Sequence, residues 1–392
     1  MPPGIYALLL VNFAVGTQGF VFGGVLAELA ADLGVTTGTA GLAITASAVT
    51  FAVGSPVFAV LFGRAERRTV LLAGLAVLLL GNIGCALAPN FAALFALRVL
   101  TGLGAGLVGA VGGATAAQIA PPEKRGQALA LVLGGLTLAF TLGLPLGSAA
   151  GGAFGWRACF VLSIVLTLGA IAALLLVLPR VQPMPGPRPS PTALLAIPAV
   201  RSAFATNFLA FAGSFCVVAF TGPLVNAVTG YAGAAVGPFQ ACIGVGSLLG
   251  LALGGKAADG SAARRVLPIS LLVLAACLLG FAALIAGWAR GWAVPLLGLA
   301  ILVNSATLFA MVPVLQNRLA AVAGAATPLA FALNGSLVSL GQGAGAAIGG
   351  GVKDSVGFAG AGLVGAAVVL AALLASRRVF AAPAPAPVPK PA

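Results

Sequence analysis

Long apolar runs alternate with short polar or basic segments along almost the whole chain. A membrane-spanning helix needs about 20 mostly apolar residues, and by that measure the pattern predicts twelve spans. Their expected ranges are 6–27, 40–62, 70–88, 92–117, 126–150, 158–178, 202–226, 235–255, 266–287, 293–315, 328–350 and 357–376. The pattern therefore predicts an all-α membrane protein.

A proline-rich segment separates the first six predicted spans from the last six. Residues 179–201 hold seven prolines and three arginines, so they are predicted to be a cytoplasmic linker and not a span. We expect an N-terminal six-helix bundle over 1–178 and a C-terminal one over 202–378. Residues 379–392 are rich in proline and alanine and are predicted to be a disordered tail.

Composition agrees with the apolar pattern. The 392 residues are 61% hydrophobic and 6% charged, whereas soluble proteins carry about 25% charged residues. The net charge of +13 does not indicate nucleic-acid binding, because the basic residues lie between apolar runs. The chain has no histidine, no nucleotide-binding motif and no paired cysteine spacing. We expect neither an enzyme nor a cofactor or metal site.

The basic residues also predict the orientation. With a cytoplasmic N-terminus, fifteen Lys and Arg residues fall in inside segments and only Arg157, Arg290 and Lys353 fall in outside segments. This bias predicts that both termini are cytoplasmic.

One charged residue, Arg98, lies inside a predicted span. A charge at that depth costs at least about 2.5–3.5 kcal/mol and is retained where it has a use. Gly102, Gly104 and Gly106 reduce the same helix to bare backbone on one side, which allows close approach. We expect the guanidinium to face a pathway shared by the two bundles.

Basic loops follow the second and the eighth spans, six spans apart. They contain Arg64, Arg67 and Arg68 in the first case and Asp259, Arg264 and Arg265 in the second. Such a repeat indicates a duplicated transporter with its site between the halves.

These features resemble the major facilitator superfamily, and within it the twelve-span drug:proton antiporters that include chloramphenicol-resistance and arabinose- or sugar-efflux exporters. The resemblance implies a gating role for the two basic loops, although a plain positive-inside loop has the same composition. It implies a role in proton transfer for Arg98 beside Gly102 and Gly106. The alternative is a structural arginine at a helix crossing.

Gly143-Leu144-Pro145-Leu146-Gly147 resembles the fifth-span motif of exporters in that family. Pro145 is expected to kink the span. Gly143 and Gly147 are expected to let it pack against a helix of the other bundle. The alternative is generic packing of small residues.

The first span departs from the family. Relatives often carry a carboxylate where this chain has Gly19, and all six acidic residues lie at span ends. Proton coupling, which the resemblance implies, is left with Glu28 and Asp32 as candidates and Asp259 after them.

The cavity is expected to be lined by neutral polar groups. The candidates, besides Arg98, are Asn12, Gln18, Asn207, Gln240, Asn304, Asn334 and Gln342, each of which is equally able to be a link between helices. An apolar wall with a few amides suits a small neutral compound.

The resemblance thus implies a monomeric inner-membrane transporter in the lipid bilayer that exports a small compound such as chloramphenicol by alternating access. Export of a sugar or another metabolite, import, and a sensor or scaffold role are the alternatives.

Overall fold

The computed structural model describes residues 1–182, 191–258 and 262–380, and within these ranges the chain is helical with no strand. Most of the predicted linker and tail lies outside the described residues, so their character stays a prediction. The described part of the linker includes a short helix, Pro191–Ala196.

Twelve long helices form the described fold. They are α1 Pro3–Asp32, α2 Thr37–Leu61, α3 Arg67–Leu87, α4 Phe91–Ile119, α5 Arg125–Phe154, α6 Arg157–Val177, α7 Pro198–Val218, α8 Gly233–Ala257, α9 Ala262–Ile285, α10 Arg290–Ala323, α11 Thr327–Val356 and α12 Phe358–Ser376. The α7 helix begins at Pro198, before the predicted 202, because proline is well tolerated in a first helical turn.

Eleven of these helices in the described chain are long and apolar enough to cross a membrane. The exception is α11, which was predicted as the span 328–350. Its 30 residues extend about 45 Å, more than the hydrocarbon core requires. Seven glycines and several polar residues lower its hydropathy, and it packs between α2 and α7, where little lipid contact is needed.

The helices pack as two equivalent six-helix bundles. In the first, α1 packs on α5 and α6, α4 packs on α2 and α3, and α3 packs on α6. In the second, α7 packs on α11 and α12, α10 packs on α8 and α9, and α9 packs on α12. Every pair in one bundle has its counterpart six helices later, which is the pseudo-twofold arrangement of duplicated transporters.

The two bundles meet along α2 with α11 and along α5 with α8. We call the membrane face at the start of α1 and the end of α12 the terminal face, and the other the distal face. The hydrogen bonds between α2 and α11 lie toward the distal face. Thr45 Oγ1 donates to Gly343 O at 2.9 Å, and Gly38 N donates to Asp354 Oδ1 at 3.3 Å. On the terminal side, the first half of α5, Arg125–Leu138, contacts α8 far less than its second half does. The bundles therefore splay toward the terminal face.

Three helices are interrupted near the contact between the bundles. The α1 helix breaks after Phe20 and resumes through the 3₁₀ turn Gly23–Val25. The α7 helix ends at Val218, and a short helix, Thr221–Thr229, follows. The α5 helix carries a π-helical turn over Ala139–Gly143, immediately before Pro145, which has no N–H to donate to the preceding turn.

Candidate functional site

Arg98 is completely buried and uses its guanidinium to join α4 to α1 and α2. Its Nε donates to Ala43 O at 3.1 Å, and its Nη1 donates to Gln18 O at 3.0 Å and Gln18 Oε1 at 2.8 Å. Its Nη2 donates to Gly19 O at 2.9 Å and Ser47 Oγ at 2.6 Å. All five partners belong to the N-terminal bundle and are neutral.

These bonds explain the break in α1. In a continuous helix, the carbonyls of Gln18 and Gly19 would accept hydrogen bonds from residues 22 and 23. Here they accept from Arg98, so the chain turns away after Phe20 without leaving a carbonyl unsatisfied in an apolar interior.

Arg98 does not line the space between the bundles, contrary to the expectation from the sequence. Its five acceptors occupy the guanidinium, and Arg98 is not among the residues that line the cavity between the bundles. The neighbouring glycines serve helix packing: a Cβ on Gly102 would lie 2.6 Å from Ser47 O in α2, and one on Gly106 would lie 3.3 Å from Ser55 N. Its observed position is that of a structural arginine at a helix crossing.

A cavity lies between the bundles, close to the three helix interruptions. Its wall is mostly aromatic and aliphatic, with Phe20 and Phe140 from the first bundle and Phe215 and Phe309 from the second. Aromatic pairs cross between the bundles: the ring centroids of Phe20 and Phe215 are 5.3 Å apart, and those of Phe140 and Phe309 are 5.6 Å apart. The free volume of the cavity is about 20 Å³, which is room for about one water molecule.

Two of the eight predicted cavity residues line this space, namely Gln240 and Asn304. Ser214, Ser305 and Thr221 line it as well, and the sequence interpretation missed these hydroxyls. Serine and threonine occur throughout the spans, so only the folded packing distinguishes them.

The other predicted amides lie elsewhere. Asn12 Nδ2 donates to Val132 O at 3.1 Å and links α1 to α5. Asn207 Nδ2 donates to Asn334 Oδ1 at 2.7 Å and links α7 to α11. Gln18 is bonded to Arg98, and Gln342 is buried on α11 away from the cavity lining. Asn12, Gln18, Asn207 and Asn334 therefore fit the role of links between helices.

Gln240, on α8, is bonded across the bundle interface to α5 and to the 3₁₀ turn of α1. With its amide nitrogen facing the acceptors, it donates to Ser148 Oγ at 2.5 Å and to Leu144 O at 2.8 Å, and its oxygen accepts from Gly24 N at 3.2 Å. The backbones of Gly24 and Gly222 meet directly beyond it, since a Cβ on Gly222 would lie 2.2 Å from Gly24 O. This contact closes the cavity toward the distal face.

Only part of the fifth-span motif packs as expected. A Cβ on Gly143 would lie 2.2 Å from Thr17 Oγ1, and one on Gly147 would lie 2.5 Å from Val21 O, so both glycines face α1 of their own bundle. The α8 helix is contacted instead by Thr141, Pro145 and Gly152, together with the Leu144 carbonyl and Ser148 hydroxyl that bind Gln240. The π-helical turn rotates the motif, which a regular helical projection of the sequence does not show.

The basic loop after α2 is tied to the N-terminal bundle itself. Arg68 Nη2 donates to Leu175 O at 2.8 Å, and Arg67 N donates to Val181 O at 2.9 Å. Arg64 is exposed. In the second loop Arg264 and Arg265 are exposed, and Asp259 lies outside the described residues. A gating role for these loops stays a prediction.

Glu66 anchors the first loop by capping α3. Its Oε1 accepts from Arg68 N at 2.9 Å and Val181 N at 2.9 Å, and its Oε2 accepts from Thr69 N at 2.8 Å. Partial burial acts to raise the pKa of Glu66, but these hydrogen bonds, with that from the Thr69 hydroxyl, outweigh it and lower the pKa to about 2.

We expect Glu66→Ala to lower the free energy of unfolding by about 1–2 kcal/mol, the usual effect of losing a helix cap. Because the folded pKa is depressed below 4.5, the cap stabilises the fold fully above that pH and is lost as the pH falls toward 2. Thermal unfolding of both proteins in detergent should show a constant difference at neutral pH that narrows in acid. A pH-independent difference would contradict this.

The two proton-coupling candidates differ in their surroundings. Asp32 Oδ2 accepts from Trp156 Nε1 at 2.9 Å and forms a 2.8 Å ion pair with Arg157, all within the first bundle. Glu28 is exposed and borders a vestibule of about 260 Å³ on the distal face, between the bundles, with Gly222 and Asn226 on its other side.

Comparisons with known proteins agree with this architecture. Residues 8–327 match the family model for the Major Facilitator Superfamily. The chain is 32% identical over 379 residues to the inner membrane transport protein YdhP of Escherichia coli strain K12, covering 94% of each chain. It is 31% identical to a chloramphenicol resistance protein of Streptomyces lividans, covering 74% of this chain and 72% of that one.

Solved structures show the same fold. A bacterial homologue of the human lysosomal transporter Spinster, in an inward-facing and occupied conformation, matches with a TM-score of 0.71 at 17% identity, covering 96% of this chain and 94% of that one. Family, fold and the cavity between two six-helix bundles agree, and the relatives are transporters and not enzymes. The chain belongs to the Major Facilitator Superfamily of membrane transporters.

Proposed function

We propose that this protein exports a small, mostly neutral compound, such as chloramphenicol, by alternating access. The observation that carries the proposal is the cavity between the bundles, which is closed toward the distal face and lined by aromatic rings, hydroxyls and amides without a carboxylate. The resemblance of α5 to the exporter motif and the similarity to the Streptomyces lividans chloramphenicol resistance protein support the direction of transport.

The test is expression in a bacterium that lacks its own amphenicol efflux. We expect higher chloramphenicol resistance than with an Arg98→Ala variant made at equal level in the membrane, and energised uptake of chloramphenicol into inverted vesicles. Unchanged resistance and no vesicle uptake would contradict export of this compound. Uptake into right-side-out vesicles instead would indicate an importer.

Export of a sugar is the second candidate, and the putative transporter AraJ of Escherichia coli is 28% identical over 71% of each chain. The four phenylalanines of the cavity wall favour a less polar substrate. Arabinose and chloramphenicol uptake measured in the same inverted vesicles separate the two.

We further propose that both termini are cytoplasmic, that the protein acts as a monomer in the inner membrane, and that Glu28 loads the coupling proton. Glu28 lies beside the vestibule of about 260 Å³ at the junction of the bundles, whereas Asp32 is held by Trp156 and Arg157. An arginine stays protonated at physiological pH, so Arg98 does not carry the coupling proton.

We expect Glu28→Gln to remove the dependence of export on the pH gradient while substrate exchange continues. Glu123→Gln, an exposed acid at the terminal end of α5, is the matched control and should leave the dependence intact. Export by Glu28→Gln that still follows an imposed pH gradient would refute the assignment.

A further inference from the structure

The described wall of the cavity includes a buried amide oxygen that accepts no hydrogen bond. Asn304 is 1% exposed, and its Nδ2 donates to Ser214 Oγ at 3.0 Å, but its Oδ1 accepts no hydrogen bond. A buried amide oxygen without a donor is costly, by about 1–3 kcal/mol. Because Asn304 lines the cavity, a ligand in the cavity is able to supply that donor.

We propose, building on the transport function proposed above, that the substrate is an uncharged ring compound with a hydroxyl or amide N–H that donates to Asn304 Oδ1. This assigns a recognition residue and a substrate class to the cavity. Ser305 and Thr221 also line it and offer hydroxyls for the other polar groups of such a compound.

The ring preference follows from the cavity wall. Phe20 and Phe140 meet Phe215 and Phe309 across the bundle interface with centroid distances of 5.3 and 5.6 Å. These are ordinary separations for aromatic pairs. Since the free space is about 20 Å³, a substrate ring must enter by separating these rings, and it then replaces their lost contacts with its own.

The charge preference follows from what surrounds the cavity. No acidic residue is among its lining residues, and Arg98 lies just behind it, bonded to the carbonyl of Gly19 next to Phe20. A fixed buried cation without a carboxylate nearby repels a cationic ligand, because the interior screens charge poorly. A quaternary ammonium compound should therefore bind worse than a neutral analogue.

The test is equilibrium binding of three matched probes to the full chain in detergent: 2-naphthylmethanol, its methyl ether and the corresponding trimethylammonium ion. We expect wild type to bind the alcohol about 5-fold tighter than the ether, the value of one net hydrogen bond, and the cation most weakly. Asn304→Leu should bind alcohol and ether equally.

Asn82→Leu is the matched control, because Asn82 is equally buried but lies on α3, away from the cavity. It should keep the preference for the alcohol. Equal affinity of wild type for alcohol and ether, a preference that survives in Asn304→Leu, tightest binding of the cation, or no binding of any probe would each overturn the inference. Chloramphenicol export is measured separately. Export without the preference for the alcohol contradicts this inference alone, and the preference without export contradicts the proposed function alone.

Discussion

Replacing Arg98 with alanine is expected to abolish transport and to lower the free energy of unfolding by about 3 kcal/mol or more. The reason is that the carbonyls of Gln18 and Gly19, at the break in α1, and the side-chain oxygen of Gln18 lose their donor in an apolar interior, at about 1–3 kcal/mol for each unsatisfied group. The break in α1 then has nothing to hold it. Thermal unfolding in detergent and vesicle uptake measure the two effects.

Arg98→Lys and Arg98→Gln separate geometry from charge. Lysine keeps the charge but cannot present a planar fork of five donors, and glutamine keeps two donors without charge. We expect both variants to be destabilised and to transport poorly. The opposite result would be an Arg98→Lys variant with full transport and the melting temperature of wild type, and an Arg98→Gln variant without transport. It would show that the protein uses the charge itself.

Replacing Gly244 with valine is expected to prevent closure toward the distal face and to stop transport. A Cβ at Gly244 would lie 2.2 Å from the backbone Cα of Thr141 in α5, a position that cannot be relieved by a side-chain movement. The bundles must then separate on that side. A cysteine at Ser305, in the cavity wall, should react faster with an impermeant maleimide added from the distal face.

Gly255→Val provides the control on the same helix, because a Cβ there meets nothing within 4 Å. It should transport like wild type and leave the Ser305→Cys labelling rate unchanged. If Gly244→Val also transports like wild type, the α5–α8 contact does not need to close during the cycle.

The sequence predicts where the helices lie along the chain better than it predicts where they break and what they contact. Hydrophobic run lengths locate all twelve helices, and α11 departs from the apolar pattern because its glycines pack between other helices. The positions of the breaks were less visible. Pro145 marks the one in α5, but the break in α1 depends on Arg98, which is 80 and 79 residues along the chain from the two carbonyls that it binds.

The site was predicted in part, for the same physical reason. A polar residue in a span must have a partner, and the sequence does not show whether that partner is another helix or a substrate. Asn207 donates to Asn334 away from the cavity, and Asn304 donates to Ser214 in the cavity wall. The Oδ1 of each accepts no hydrogen bond, so only the position of Asn304 beside the cavity distinguishes them. Phe140 lies in the π-helical turn and meets Phe309 of the second bundle, a direction that the apolar pattern does not show.

The two bundles are in contact on the distal side in this conformation, and we expect them to exchange that contact for one on the terminal side during transport. Spin labels report it directly when placed on exposed residues in a chain whose five native cysteines are replaced. Phe154 and Tyr231 report the distal side, and Arg125 and Lys256 report the terminal side.

Electron–electron distance measurements on these two label pairs, in wild type and in Gly244→Val, are the most direct test. We predict that Gly244→Val lengthens the distance between the distal labels and shortens that between the terminal labels. Two distances that change in the same direction, or that both remain as in wild type, would contradict an exchange of the distal contact for a terminal one.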